Sequence, residues 1–441
     1  MARPIDSPGP AHVAFEQWAN SCGITINGVG AARFHGQGLG IAALRKIDVG
    51  EVLVKVPLQA MLTPECIPDA FRAKFGDDIS IHGLMAAYLC CGDYEDVSKY
   101  AAWWAVWPTM EDFEESMPIM WPEHLKEQMH RETPCTRTIT EYPPPAGPSA
   151  RKSIGRGPSD PTEYEGPLVR QEKNFEKCFQ AVKSVFPGTD WKQYCYYWLI
   201  VNTRSFYHKP AGANTPKDRN DAIALCPYAD YFNHTDVGNC VVSFNQDGYI
   251  VQAAKSYEPG EEVYVCYGKH NSDFLQVEYG FVPDKNQWDA INLDTVVLDD
   301  LNDDLQVELL REQYFGNYQL TPSPSDSDFK SEPCYRTEVA ACIKYMSNKN
   351  WLSFVRGHSS APFDCLKTDE VIRLWIGEYK KGAEMIIGQV VMEYGIGVGV
   401  GMKRKRVGEV EGEEDVRVLT VLRRWRQVVE LCEGGLRYLK I

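Results

Sequence analysis

Asp230-Tyr231-Phe232-Asn233-His234-Thr235 sets a polar Asn-His pair directly behind aromatic residues, and Tyr264-Val265-Cys266-Tyr267-Gly268 follows downstream. A third stretch, Phe274-Leu275-Gln276-Val277-Glu278-Tyr279-Gly280-Phe281-Val282, repeats the Tyr-Gly unit 12 residues after the first. Singly, each has an ordinary explanation. An Asn-His pair serves as a turn or a satisfied buried pair, and a tyrosine in an apolar strand is core with its hydroxyl bonded. Together they concentrate more polar-aromatic chemistry than a core requires.

Working outward, the cluster lies in a β-rich region. Segments 223–226, 240–244, 248–253 and 262–266 read as short strands separated by Asn, Asp and Gly turns. Upstream, 38–44 and 51–57 read as two more strands, with Asp48 and Gly50 in the turn between them. Helical patterns fall at 64–75, 80–91, 169–186 and 190–207, and Phe15, Trp18 and Ala19 mark a short opening helix that Gly23 can end. Trp103, Trp104 and Trp107 are candidate core anchors. Residues 133–167 hold eight prolines and little apolar content, so the segment reads as a flexible insertion. Beyond 283 the pattern turns helical, at 300–315, 335–355, 368–392 and 416–432, around a Ser/Pro/Asp-rich loop at 321–333. The fold class is therefore α+β: a β-rich domain over 12–283, then an all-α domain over 284–441.

Composition sets the limits. The 441 residues carry 46 Lys+Arg against 61 Asp+Glu, a net charge of −15, which argues against sequence-independent nucleic-acid binding. The N-terminus has no apolar stretch behind a basic start, and the most apolar run, 386–402, is interrupted by Gln389, Glu393 and five glycines. The expectation is a cytoplasmic protein that spans no membrane. Fourteen cysteines without a C-x-x-C or C-x-C read as reduced thiols, with no metal site. Lys403-Arg404-Lys405-Arg406 reads first as a solvated loop, with a nuclear import signal as the alternative. There is no P-loop, no H-E-x-x-H and no G-x-S-x-G, and Gln37-Gly38-Leu39-Gly40 is too short for a dinucleotide fingerprint.

In this order the motifs resemble the SET-domain protein methyltransferases, in the group like the Rubisco large-subunit lysine methyltransferase. The resemblance begins at Gln37-Gly38-Leu39-Gly40-Ile41-Ala42-Ala43 and runs through Gly50-Glu51-Val52-Leu53-Val54-Lys55-Val56-Pro57. It continues in Val201-Asn202-Thr203-Arg204-Ser205-Phe206, Pro227 to His234, and Gly260 to Gly268, and closes at Phe274 to Val282.

The resemblance implies S-adenosylmethionine as methyl donor, a protein lysine as acceptor, and no metal. It implies that Gly38 and Leu39 meet the donor through their backbone, with Gln37 beside them. Arg204, Asn233 and His234 would hold the donor's amino-acid end, and Phe281 would pack on its adenine. Tyr267 matches the catalytic tyrosine, and Tyr279 would line the acceptor channel. Residues about 62–222 would be a helical insertion, and the C-terminal domain would bind substrate. The implied partner is a non-histone protein with a basic, lysine-containing segment, which the acidic balance would attract, and the enzyme would act as a monomer. Unclustered cysteines speak against the zinc-binding module that follows many histone-modifying SET domains. Two alternatives stand beside this reading: a protein-histidine methyltransferase, and a catalytically silent SET fold used as a peptide-binding module. Arg204 is followed by Ser205-Phe206, as in lysine-specific members.

Overall fold

The computed structural model describes residues 5–34, 38–76, 79–130, 166–208, 222–238, 240–245, 247–323, 329–357, 363–396 and 415–439. Gln37, residues 133–165 of the expected flexible insertion and the basic run 403–406 lie outside the described residues. The chain divides into two compact units. One comprises Met1–Met117, Leu168–His270 and Val277–Gly280; the other comprises Pro118–Pro167, Asn271–Gln276 and Phe281–Ile441.

The first unit is built on short strands. One sheet joins β1 (Ile5–Asp6), β3 (Val29–Phe34), β4 (Gly38–Ala43), β11 (Glu262–Val265) and β8 (Asn233–His234), in that spatial order. A second joins β2 (Thr25–Ile26), β5 (Val52–Val56), β10 (Gly248–Ala253) and β9 (Cys240–Asn245). A two-stranded pair links β6 (Ser205–Tyr207) to β7 (Ile223–Leu225). Alternation drives the second sheet inward: Tyr249, Val251 and Ala253 of β10 are buried, while Ile250 and Gln252 between them are only partly so. Between β5 and β7 lie the helices Ile81–Cys91, Pro167–Val185 and Trp191–Arg204. Ser80 caps the first through Gly83 N–H, and Asp190 caps the third through Gln193 N–H.

The structure departs from the sequence reading at three places here. The helix expected over 64–75 is a 3-10 turn at Pro64–Cys66 and one helical turn at Asp69–Arg72. Pro68 explains the break, because the residue before a proline is driven out of the helical region, and Ile67 is extended. The helix expected over 190–207 ends at Arg204, and Ser205–Tyr207 pairs with β7 instead. Strand β3 was not anticipated at all. Its Gly30-Ala31-Ala32 centre has weak strand preference, and pairing with β4 along its whole length supplies the order.

The second unit is mainly helical. Cys365–Tyr394 and Val416–Tyr438 are its long elements, around a core that includes Trp351, Ile372, Trp375, Leu422 and Leu431. The pattern at 335–355 resolves into two helices, Tyr335–Ile343 and Asn348–Val355, because the Ser347 hydroxyl accepts Asn350 N–H and starts the second. The expectation of an all-α domain needs one correction. A small antiparallel sheet joins β12 (Ile291–Asn292), β13 (Gln319–Pro322) and β14 (Ser331–Pro333). Strands of two to four residues carry too few alternations to show in a sequence pattern. No helix among the described residues is long and apolar enough to cross a membrane.

Candidate active site

Strands β4, β11 and β8 lie side by side in the first unit. β11 runs antiparallel to β4, with Val263 opposite Ile41, and parallel to β8, with Tyr264 opposite Asn233 and Val265 opposite His234. This register brings Asn233 beside the start of β4. Its Nδ2 donates to the Leu39 carbonyl and to Glu262 Oε1, each at 2.8 Å. The Tyr264 hydroxyl donates to Glu262 Oε2 at 2.6 Å. With both amide protons so used, Oδ1 is the Asn233 atom left to accept from a ligand.

Gly40 leaves no room for a side chain unless its neighbours shift. A Cβ there would stand 2.5 Å from Glu262 Oε1 and 2.8 Å from Asn233 Nδ2. Gly40→Ala is therefore expected to push Asn233 off the Leu39 carbonyl and to destabilise the chain by about 1–3 kcal/mol, read as a lower urea midpoint. Gly38 has a different reason to be glycine: its φ is 86°, and open space lies where a Cβ would point. The backbone at 38–39 is thereby exposed to close approach.

Tyr267 follows β11 and is fixed at both ends. Its backbone N–H donates to His234 Nδ1 at 3.1 Å, and its hydroxyl donates to the Phe232 carbonyl at 2.8 Å. Its ring centroid lies 5.2 Å from that of His234 and 4.9 Å from that of Tyr279. Burial pushes the Tyr267 hydroxyl well above the ordinary tyrosine range and that of Tyr279 up to about 12. Both are neutral hydrogen-bonding groups at physiological pH, neither of them a base.

Because Nδ1 of His234 accepts, its ring proton sits on Nε2 in the neutral form. Burial lowers the His234 pKa from 6.5, with His270 acting in the same direction and Asp236 opposing. Between that lowered value and 6.5, the unfolded chain binds more protons than the folded one. The contribution of neutral His234 is thus complete above the unfolded value and is lost as pH falls through the folded one. Protonation also turns Nδ1 from acceptor to donor against Tyr267 N–H. Ligand binding at this site is expected to weaken as pH is lowered from neutral through the folded His234 value, as followed by calorimetric titration with S-adenosylmethionine. An affinity unchanged over that range would count against this role for His234.

Arg204, the last residue of its helix, pairs with Asp230: Nη1 lies 3.0 Å from Oδ2 and 3.2 Å from the Asp230 carbonyl. The Asp230 side chain is only 1% exposed, and Trp103 Nε1 also donates to Oδ2, at 3.0 Å. Burial raises the Asp230 pKa, against the opposing pull of Arg204 and Trp103. Arg204 Nε and Asp230 Oδ1 are buried without a protein partner. The sequence reading did not single out Asp230, Glu262 or Tyr264. The first lies inside the Asp-Tyr-Phe-Asn-His stretch and the others two residues apart before Tyr267, so motif proximity was the available signal.

A family model described as SET domain matches residues 38–268. The chain belongs to the SET-domain family. A ribosomal lysine N-methyltransferase of Schizosaccharomyces pombe is 24% identical over 230 residues, covering 51% of this chain and 58% of that protein. An actin-histidine N-methyltransferase of Danio rerio is 20% identical over 283 residues, covering 63% of this chain and 43% of that protein. The chain spans about half the length of the relatives it matches. The solved structure of Rubisco LSMT bound to AdoMet aligns over 98% of this chain and 93% of that one, with TM-score 0.57 and 14% identity. The two share a fold.

Within the SET unit, the structure gathers Leu39, Asn233, His234 and Tyr267 into one connected group, with the Tyr279 ring tilted against that of Tyr267. Gly38 precedes Leu39 on the same strand. Arg204 reaches this group's neighbourhood in the chain through Asp230, two residues before Phe232. Phe281 belongs to the other compact unit. Among the described residues no group of three or more His, Cys, Asp or Glu could hold a metal ion.

Proposed function

We propose that this protein transfers a methyl group from S-adenosylmethionine to a lysine side chain of a non-histone protein. The observation that carries the reading is Tyr267, half-buried, neutral and held by Phe232 and His234 beside a second half-buried tyrosine, Tyr279. The donor fits the residues present. Asn233 Oδ1 is free to accept from its ammonium, and Arg204 retains an unpartnered buried Nε for its carboxylate. Gly38, exposed, and Leu39, partly so, would meet the donor through their backbone. Of the other residues that the sequence resemblance assigns to it, Gln37 lies outside the described residues and Phe281 in the other compact unit. Bound there, S-adenosylmethionine would supply an electrophilic sulfonium methyl.

The protein's own work is alignment and deprotonation. Lysine's reference pKa is about 10.4, and an apolar aromatic setting disfavours its ammonium form. Tyr267 and Tyr279, uncharged, orient the amine without competing for its proton. Alignment alone can lower such a barrier by about 7–11 kcal/mol. We assign residues 12–283 to the catalytic domain and 284–441 to recognition of the protein substrate. The net charge of −15 favours encounter with basic, lysine-bearing segments, in the cytoplasm.

Incubating the protein with labelled S-adenosylmethionine and a cell lysate tests the reading, with mass spectrometry of any labelled band. Methyl-lysine supports it. Methyl-histidine would support the second reading, which the actin-histidine relative favours. No labelled band despite measurable donor binding would point to a silent peptide-binding SET fold.

A further inference from the structure

The geometry points to Glu278 as a positioning residue, whose half-buried carboxylate ties the end of the Arg204 helix to the segment carrying Tyr279. Every group involved lies in the first compact unit. Asn202 sits two residues before Arg204, and its Nδ2 donates to Glu278 Oε2 at 2.9 Å and to the Glu278 carbonyl at 2.8 Å. From the neighbouring helix, Gln171 Nε2 donates to the same Oε2 at 3.0 Å and to the Val277 carbonyl at 2.8 Å. Two side-chain amides thus converge on one carboxylate oxygen, while each also satisfies a carbonyl from the last turn of the helix Ser272–Tyr279.

This arrangement does more than satisfy donors. Each amide puts one proton on a backbone carbonyl and the other on the carboxylate, so removing the carboxylate would strand one N–H on Asn202 and one on Gln171. The carboxylate also adds direction. It locks the rotation of residues 277–279 against Asn202, and the ring of Tyr279, the next residue, lies 4.9 Å from that of Tyr267. Burial makes the carboxylate costly and raises its pKa, against the opposing pull of Asn202, Gln171 and Arg170. A half-buried acid beside Tyr279, held at such a cost, fits a role in orienting the acceptor channel.

This inference rests on the methyltransferase reading only for its effect on rate. The test compares full-length Glu278→Leu and Glu278→Gln with wild type. Glu278→Leu is expected to lower kcat on the order of tenfold with KM for S-adenosylmethionine unchanged. Glu278→Gln, whose side-chain carbonyl can accept from both amides, is expected to restore kcat. Amide hydrogen exchange at 277–280 should accelerate on the order of tenfold in Glu278→Leu and stay at the wild-type rate in Glu278→Gln. Wild-type kcat in Glu278→Leu, or loss of kcat in both variants alike, would overturn the positioning role. If the wild-type chain transfers no methyl group, the methyltransferase reading falls, and the exchange comparison still decides the clamp. Unchanged exchange in Glu278→Leu would overturn it.

Discussion

Tyr267→Phe is expected to slow methyl transfer on the order of 10²-fold while S-adenosylmethionine binding persists, the scale seen when one aimed hydrogen-bonding group is removed from a reacting centre. The substitution deletes only the hydroxyl. Ring contacts to His234 and Tyr279 remain, as does the backbone N–H bond to His234 Nδ1. The Phe232 carbonyl loses the donor that holds it at 2.8 Å, so a stability loss of about 1–3 kcal/mol accompanies the change. Because burial keeps this hydroxyl protonated, its contribution does not titrate at physiological pH. The ratio of wild-type to variant single-turnover rates should therefore be the same at pH values of about 7 and about 9. A ratio that grew with pH would mean that Tyr267 acts as a base. A ratio near one would remove it from the chemistry altogether.

What the sequence disclosed and what it hid follow from chain separation. Asn233, His234 and Tyr267 were legible because each lies in a short dense motif, and their meeting needs only β8 to pair with β11. The Asp230 clamp was not, since its partners Arg204 and Trp103 stand 26 and 127 residues away and nothing local marks them. Glu278 is similar: its donors come from 76 and 107 residues upstream. The helical character of the C-terminal part was legible through long periodic stretches such as Cys365–Tyr394. The assignment of Asn271–Gln276 and Pro118–Pro167 to the same compact unit as that part was hidden, because only tertiary packing decides it. Pattern reading failed where an element is shorter than its own period test, as in β12 to β14, and where small residues form a strand under the order of a neighbour, as in β3.

Arg424→Met should be the most destabilising single change in the second unit, at about 3–5 kcal/mol. Arg424 sits on the helix Val416–Tyr438 with its side chain 6% exposed. Its Nε and Nη2 grip Asp273 at 2.6 and 2.9 Å, and its Nη1 meets Asp289 at 2.7 Å. The two carboxylates together raise its pKa despite burial, so the guanidinium stays charged. They are not equivalent. Asp273 is 41% exposed and can turn to water once the arginine is gone, whereas Asp289 is 8% exposed and cannot. Asp289 Oδ1 would keep the Ser272 and Ala290 N–H groups, at 3.0 and 2.9 Å, while Oδ2 would lose the Arg424 guanidinium. The cost of Arg424→Met is thus chiefly one buried, half-satisfied carboxylate. From this the order of urea midpoints follows: Arg424→Met lowest, Asp289→Asn next, Asp273→Asn nearest wild type. Combining Arg424→Met with Asp289→Asn should recover part of the loss, since the second change removes the charge that the first strands. Strict additivity of the two would instead mean that the cavity left by the guanidinium, and not the stranded carboxylate, sets the cost.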